Sequence, residues 1–179
     1  VAVIGGGTAG LAAWREATRA GAHALLIEGG PYGTTCARVG CMPSKLLIAA
    51  ADSARSVRLA PSFGVEASLN RIDGQAVMQR VRSERDRFVG FVLDGVENIP
   101  AEQRLQGYAR FLKPNLLQVG EEIQIEAKTV VIATGSSPSL PPLLQGLGDR
   151  LVDNEALFNW LDLPRSVAVF GAGIIGLEL

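Results

Sequence analysis

Six residues near the start of the chain, Gly5-Gly6-Gly7-Thr8-Ala9-Gly10, constrain its fold more than any others. They follow the apolar run Val1–Ile4 and lead into a helix-like stretch, Leu11–Ala20, that stops at Gly21. The segment His23–Glu28 then reads as a second buried strand. Strand, glycine turn, helix and strand within about thirty residues make a βαβ unit, which points to an α/β fold with a parallel sheet. Gly5 permits the tight turn, and Gly7 admits a pyrophosphate to the backbone. Gly10 lets the helix pack on the strand, while the helix N-terminus stabilises phosphate charge. Glu28 ends the second strand, where a carboxylate accepts hydrogen bonds from ribose hydroxyls. A glycine-rich turn without a ligand is the rival reading. The agreement of strands, helix and acidic terminus favours a bound dinucleotide.

Beyond this unit, residues 29–40 read as a Gly/Thr-rich loop, and a helix is expected from Cys41 through Val57. Ala60–Gly64 interrupts it. A long helix over 73–96 rests on Val77, Val81, Phe88 and Phe91/Val92 at helical spacing. Its Arg80, Arg82, Arg85 and Arg87 are interleaved with Glu84 and Asp86, and read as a solvated face rather than an anion site. From 107 to 134, strand-like pieces separated by Lys113-Pro114-Asn115 and Gly120-Glu121 form a small antiparallel section. It leads into a buried strand that ends in a Gly/Ser/Pro loop. Near residue 170 the opening theme returns. "SVAVFGAGIIG" reads as a strand followed by Gly171-x-Gly173-x-x-Gly176. Two such units imply one tightly held flavin dinucleotide and one exchanging nicotinamide dinucleotide. The expected domains are 1–145, for the first nucleotide, and 146–179, the beginning of the second.

Composition narrows the partners. With 17 basic and 18 acidic residues among 179, the net charge is −1, which argues against nucleic acid or an anionic membrane surface. The longest apolar run, Leu46–Ala51, is far too short to span a bilayer. No signal peptide is visible, so a cytoplasmic location is expected. The chain starts inside a strand and stops a few residues into a helix, and is expected to be a piece of a longer polypeptide.

Both cysteines lie in "GTTCARVGCMPSK", Gly33–Lys45. Two cysteines are too few for a secreted disulfide scaffold. Zinc would want four ligands, and the only histidine is His23, read as a surface residue. The pair is therefore read as redox-active or as two inert packing thiols, with metal binding the weaker option. Five residues of helix advance roughly 7.5 Å and rotate about 140°. A bond would need Cα atoms within about 7 Å, so the chain between Cys36 and Cys41 would have to leave helical geometry. Gly40 allows that, and Val39 argues against a regular helical start. Cys41 falls at a helix N-terminus, a position that favours thiolate. Pro43 suits the first turn.

This segment resembles the active-site segment of the pyridine nucleotide-disulfide oxidoreductases, usually G-G-T-C-x-x-x-G-C-x-P-[SK]-K. Pro43-Ser44-Lys45 looks more like the dihydrolipoamide dehydrogenases and mercuric reductases than the glutathione reductases. The resemblance runs along nearly the whole chain, from the first glycine loop through "ATGSSP" to the second. It implies a Rossmann-like FAD domain with a parallel sheet and a small antiparallel meander, then the start of an NAD(P) domain. It implies that Gly5, Gly7, Gly10 and Glu28 bind the adenosine diphosphate part of FAD, and that Thr35 and Lys45 flank its phosphate and ring regions. Ala109 would touch the adenine edge, and Ala133, Thr134 and Gly135 would run beside the cofactor. Gly171, Gly173 and Gly176 would bind NAD, or NADP. Cys41 would face the flavin, Cys36 would exchange with a dithiol or disulfide substrate, and Lys45 would pair with Glu178 near the reactive ring nitrogen. A dimerisation domain lying outside this chain would supply the acid/base histidine, and the protein would be a homodimer. Rival readings are a flavoenzyme with idle cysteines and a non-enzymatic redox sensor. Thr34 stands where the family usually has glycine.

Overall fold

The computed structural model describes residues 1–179. In chain order the elements are β1 (Ala2–Ile4), α1 (Thr8–Arg19), β2 (Leu25–Glu28), α2 (Thr35–Val39), α3 (Cys41–Leu59) and α4 (Gly74–Glu97). Then come β3 (Arg104–Gln106), β4 (Ala109–Lys113), β5 (Leu116–Val119), β6 (Ile123–Glu126), β7 (Val130–Ile132), α5 (Asn154–Leu157) and α6 (Ile174–Glu178). Two compact units emerge: Val1–Thr35 with Val89–Ser137, and Cys36–Phe88 with Pro138–Leu179.

The first unit is built on a parallel sheet of order β3-β2-β1-β7. Strand alternation sends successive β1 side chains to opposite faces. Ala2 joins Ile27, Leu117, Val119 and Ala127 on the face covered by the β4-β5-β6 meander. Val3 joins Leu26 and Ile99 on the other, against Leu11, Ala13 and Trp14 of α1. Ala2, Val3, Leu26 and Ile27 are all fully buried, so a one-residue slip in β1 or β2 would exchange the faces of both cores. Helix α1 ends at Gly21 because a left-handed residue there (φ +79) turns the chain back. Gly21 N–H then donates to the Thr18 carbonyl and Ala22 N–H to that of Ala17, the paired bonds of a Schellman stop. His23 is exposed; its carbonyl accepts from the Val1 ammonium.

The second unit is helical. In the N-terminal half of α4, Met78 and Val81 are fully buried, whereas Phe91, expected on the apolar face, is 60% exposed. The arginine row is also not simply a solvated face. Arg82 donates to the Trp160 carbonyl, and Arg85 to the Phe158 carbonyl (3.3 Å) and to Asn159 Oδ1 (2.9 Å). These bonds engage the chain just beyond α5, around the buried Phe158, and Asp153 caps the other end of α5 through the Glu155 and Ala156 amides. Charge interleaving along a helix does not reveal that two of its arginines have carbonyl partners far along the chain.

Two local expectations change. Residues 35–39 are helical rather than loop, and Val39 closes α2 instead of preventing it. Residues 166–170 form no strand, and Val167, Val169 and Phe170 are more than half exposed. No helix is long and apolar enough to cross a membrane.

Candidate functional site

In the first unit, the glycine turn is held by the end of the sheet. Gly5 takes φ +108, and a Cβ there would lie 2.2 Å from the Ala133 carbonyl oxygen. A Cβ on Gly10 would lie 1.7 Å from the Gly5 carbonyl oxygen. Both neighbours are tied to the sheet, since Gly5 N–H donates to the Ile27 carbonyl and Ala133 N–H to that of Ile4. Gly7 differs: it is the N-cap of α1, and a Cβ there would meet nothing within 4 Å. The turn is thus tight at its two ends and open at Gly7. That is the cradle a phosphate needs at a helix N-terminus. Ala133 and Thr134 lie against Gly5, and Gly135 (φ +70) turns the chain away.

Glu28 closes the other side. Gly6 N–H donates to its Oε2 at 2.5 Å and Gly30 N–H to its Oε1 at 2.6 Å. Each carboxylate oxygen keeps a further lone pair for an incoming hydroxyl. Two tyrosines complete the turn. Tyr32 lies over Gly6, where a Cβ would meet its ring at 2.8 Å, and Tyr108 lies on Gly29, where the separation would be 2.4 Å. Burial raises the Tyr32 phenol above its ordinary range, Glu28 raises it further, and Arg104 opposes them. Tyr108 immediately precedes Ala109, which opens β4 opposite Val119. The Gly29-Gly30 pair was the available sequence signal for these ring contacts.

In the second unit, α2 and α3 meet at Gly40 (φ −134, ψ −119), and that break brings the cysteines together. Both are free thiols, Cys36 half-buried and Cys41 exposed. Cys41 is close enough for its side chain and backbone to bear on the Cys36 thiol. Burial pushes the Cys36 thiol up, and the Cys41 side chain adds to this; the Cys41 backbone and the charge of Lys45 oppose it. Just before α2, Thr34 takes φ +58, the only left-handed non-glycine residue in the chain. Thr35, the first residue of α2, is exposed.

Lys45 Nζ lies 3.6 Å from Glu178 Oε1. Between them in sequence logic, but missed by it, stands Ser44. This is the chain's one buried polar side chain. Its hydroxyl lies 2.9 Å from Glu178 Oε1 and 3.2 Å from the Cys41 carbonyl. Its position three residues after Cys41, one turn on, was the only sequence signal. Glu178 belongs to α6, which begins at the second glycine turn: Gly171 takes φ +124, Gly173 is the N-cap, and a Cβ on Gly176 would lie 2.2 Å from the Gly171 carbonyl oxygen.

The family model described as pyridine nucleotide-disulphide oxidoreductase matches residues 1–179. The chain belongs to this family. Its members use FAD and NAD(P)H, and the open Gly7 position, the α1 N-terminus and the Glu28 carboxylate fit the adenosine diphosphate of FAD. Among relatives of this chain, dihydrolipoyl dehydrogenase of Bacillus subtilis (strain 168) is 33% identical over 185 residues, covering 99% of this chain and 40% of its own. Mercuric reductase of Shigella flexneri is 37% identical over 187 residues, covering 100% of this chain and 33% of its own. The Cu(II) complex of the HOCl-induced flavoprotein disulfide reductase RclA from Escherichia coli shares the fold, with TM-score 0.78 at 24% identity over 99% of this chain and 38% of that one. The chain thus spans about two fifths or less of the length of these proteins.

Proposed function

We propose that this chain is the FAD- and dithiol-bearing part of a dihydrolipoamide dehydrogenase-like enzyme, in which two electrons pass between NAD(P)H and a dithiol or disulfide substrate by way of Cys36 and Cys41. The observation that carries it is the placement of the two free thiols on either side of the Gly40 break, Cys36 in α2 and Cys41 at the start of α3. Residues 1–145 are assigned to the FAD domain and 146–179 to the start of the NAD(P) domain, with Gly176 favouring NAD. The whole protein is proposed to be a cytoplasmic homodimer.

Gly5, Gly7, Gly10 and Glu28 would hold the cofactor's diphosphate and ribose, with Thr35, Ala109, Ala133, Thr134 and Gly135 alongside. When bound, FAD supplies the two-electron link between nicotinamide and the cysteines. The chain's own part is thiol exchange. The Cys36 sulfur, as thiolate, attacks one sulfur of a substrate disulfide, and the departing sulfur takes up a proton. Cys41 then attacks Cys36 in the mixed disulfide, which releases the second substrate thiol and closes the Cys36–Cys41 bond. Two protein thiols become one disulfide, and one substrate disulfide becomes two thiols. Lys45, which pairs with Glu178, bears its charge on Cys36 and so favours the thiolate that makes the first attack.

The test is anaerobic reduction of the oxidised, FAD-loaded full-length protein by NADH or NADPH. Two new thiols per two electrons are expected, and Cys36→Ser should lower disulfide turnover by about a thousandfold or more. Unchanged turnover in Cys36→Ser, with no new thiols, would leave the cysteines idle and overturn the reading. The 37% identity to a mercuric reductase favours a second reading, reduction of a thiophilic metal ion. Turnover with Hg(II) and none with dihydrolipoamide would select it.

A further inference from the structure

Ser44 has no role in the chemistry above, yet it is buried and its hydroxyl faces two acceptors. A hydroxyl has one proton to donate. The Glu178 carboxylate, nearer at 2.9 Å and anionic, takes it in preference to the Cys41 carbonyl at 3.2 Å. The same carboxylate oxygen is the one that Lys45 Nζ approaches at 3.6 Å, too long for a tight hydrogen bond. Lys45 is meanwhile the only cation whose charge bears on the Cys36 thiol. Carboxylate and thiol therefore draw on one ammonium, and whatever satisfies the carboxylate frees the ammonium for sulfur.

We propose that Ser44 is a positioning residue: its hydroxyl holds the Glu178 carboxylate, and so sets how much of the Lys45 charge is left for the Cys36 thiol. The proposal deepens the reading of these thiols as the reacting pair, but concerns their ionisation rather than turnover. The titratable and charged groups that bear on Cys36 are Cys41 and Lys45, and Glu178 acts through Lys45. Removing the hydroxyl leaves Glu178 with Lys45 alone as its side-chain partner. The ion pair tightens, and the Cys36 thiol loses positive potential. Removing the carboxylate has the opposite effect.

The test is the pH profile of iodoacetamide alkylation at Cys36, resolved from Cys41 by mass spectrometry, in the full-length protein reduced anaerobically with dithiothreitol. Ser44→Ala should shift the profile to higher pH and slow alkylation near pH 7 by about threefold, the scale open to a partly exposed ion pair. Glu178→Gln should shift it to lower pH, and Ser44→Ala added to Glu178→Gln should change nothing further. A purely packing role for Ser44 would leave the profile in place and lower only the melting temperature. The proposal fails if Ser44→Ala leaves the profile unmoved, or moves it equally with and without the Glu178 carboxylate. Should Ser44→Ala not fold, Glu178→Gln alone decides, since Glu178 is exposed; an unshifted profile there also overturns the proposal. Idle cysteines would be revealed by turnover, not by alkylation, so the two failures stay distinct.

Discussion

The two glycine turns share a backbone and differ in what surrounds it. Gly5 and Gly171 are both left-handed, at φ +108 and +124, Gly7 and Gly173 both cap a helix, and Gly10 and Gly176 both press on the first glycine's carbonyl. Ahead of the first turn, Val3 is fully buried in a strand paired on both sides. Ahead of the second, Val169 is 52% exposed and in no strand. Their second positions differ too, Gly6 against Ala172. Gly6 must lack a side chain because the Tyr32 ring and the Glu28 carboxylate lie on it. A turn of this kind is specified by its own few residues. A strand needs neighbours to take its hydrogen bonds, and residues 166–170 pair with none in this chain.

The sharpest way to break this comparison is to add one methyl group to each turn. In Gly10→Ala the new Cβ meets a carbonyl 1.7 Å away on a residue tied to the sheet. A loss of about 3 kcal/mol or more is expected, enough to unfold the first unit. Gly176→Ala meets the matching carbonyl at 2.2 Å, but Gly171 has no strand to hold it. The turn can open, and a cost below about 1 kcal/mol is expected. Urea denaturation followed by far-UV circular dichroism measures both. Equal losses would show that the second turn is as firmly held as the first.

The same contrast explains which parts of the fold could be read from the residues. β1, α1, β2 and the meander carry their patterns within a few residues, and they stand where those patterns put them. β3 escaped notice because Arg104-Leu105-Gln106 has no apolar alternation; it exists because β2 offers an edge. The α2 helix escaped because Gly and Thr on either side suggested loop, although Cys36-Ala37-Arg38-Val39 complete a turn. Near the thiols, a departure from helical geometry at Gly40 was expected from glycine's freedom, though not as a break between two helices, and the Lys45–Glu178 pair was implied by family resemblance. Ser44 was not, because a serine's burial depends on a carboxylate 134 residues away.

A smaller effect is expected at Thr34, and it separates the two turns in another way. Residues with φ above zero are glycines everywhere but here, and a β-branched side chain is the least suited to it. Holding it costs about 1–3 kcal/mol, from which glycine's extra unfolded entropy of about 0.5–1 kcal/mol must be subtracted. Thr34→Gly should therefore stabilise the protein by about 1 kcal/mol, read as a higher urea midpoint with an unchanged slope. No residue beside the second turn offers a matching gain, since its one left-handed position, Gly171, is already glycine. A Thr34→Gly variant no more stable than the parent would mean that contacts of the threonine side chain offset its backbone.

The smallest effect lies in pH. Tyr32 covers Gly6, and both tyrosines of the chain belong to the first unit, so only the first turn can contribute phenol titration to stability. Burial, then Glu28, raise the folded-state phenol above the unfolded value of about 10. Above that pH the unfolded chain releases the proton while the folded chain keeps it, so the unfolded state binds fewer protons and stability falls as pH rises. The Cys36 thiol, raised chiefly by burial, contributes with the same sign from a lower starting pH, near the ordinary thiol value of about 8.5. Measuring urea midpoints from pH 8 to 11 in a Cys36→Ser background isolates the phenol. There the decline above about pH 10 should disappear in Tyr32→Phe, which keeps the ring on Gly6 and removes only the titrating hydroxyl. A decline that persists in Tyr32→Phe would detach the alkaline loss from the first turn, and with it the claim that the ring over Gly6 is energetically part of that turn.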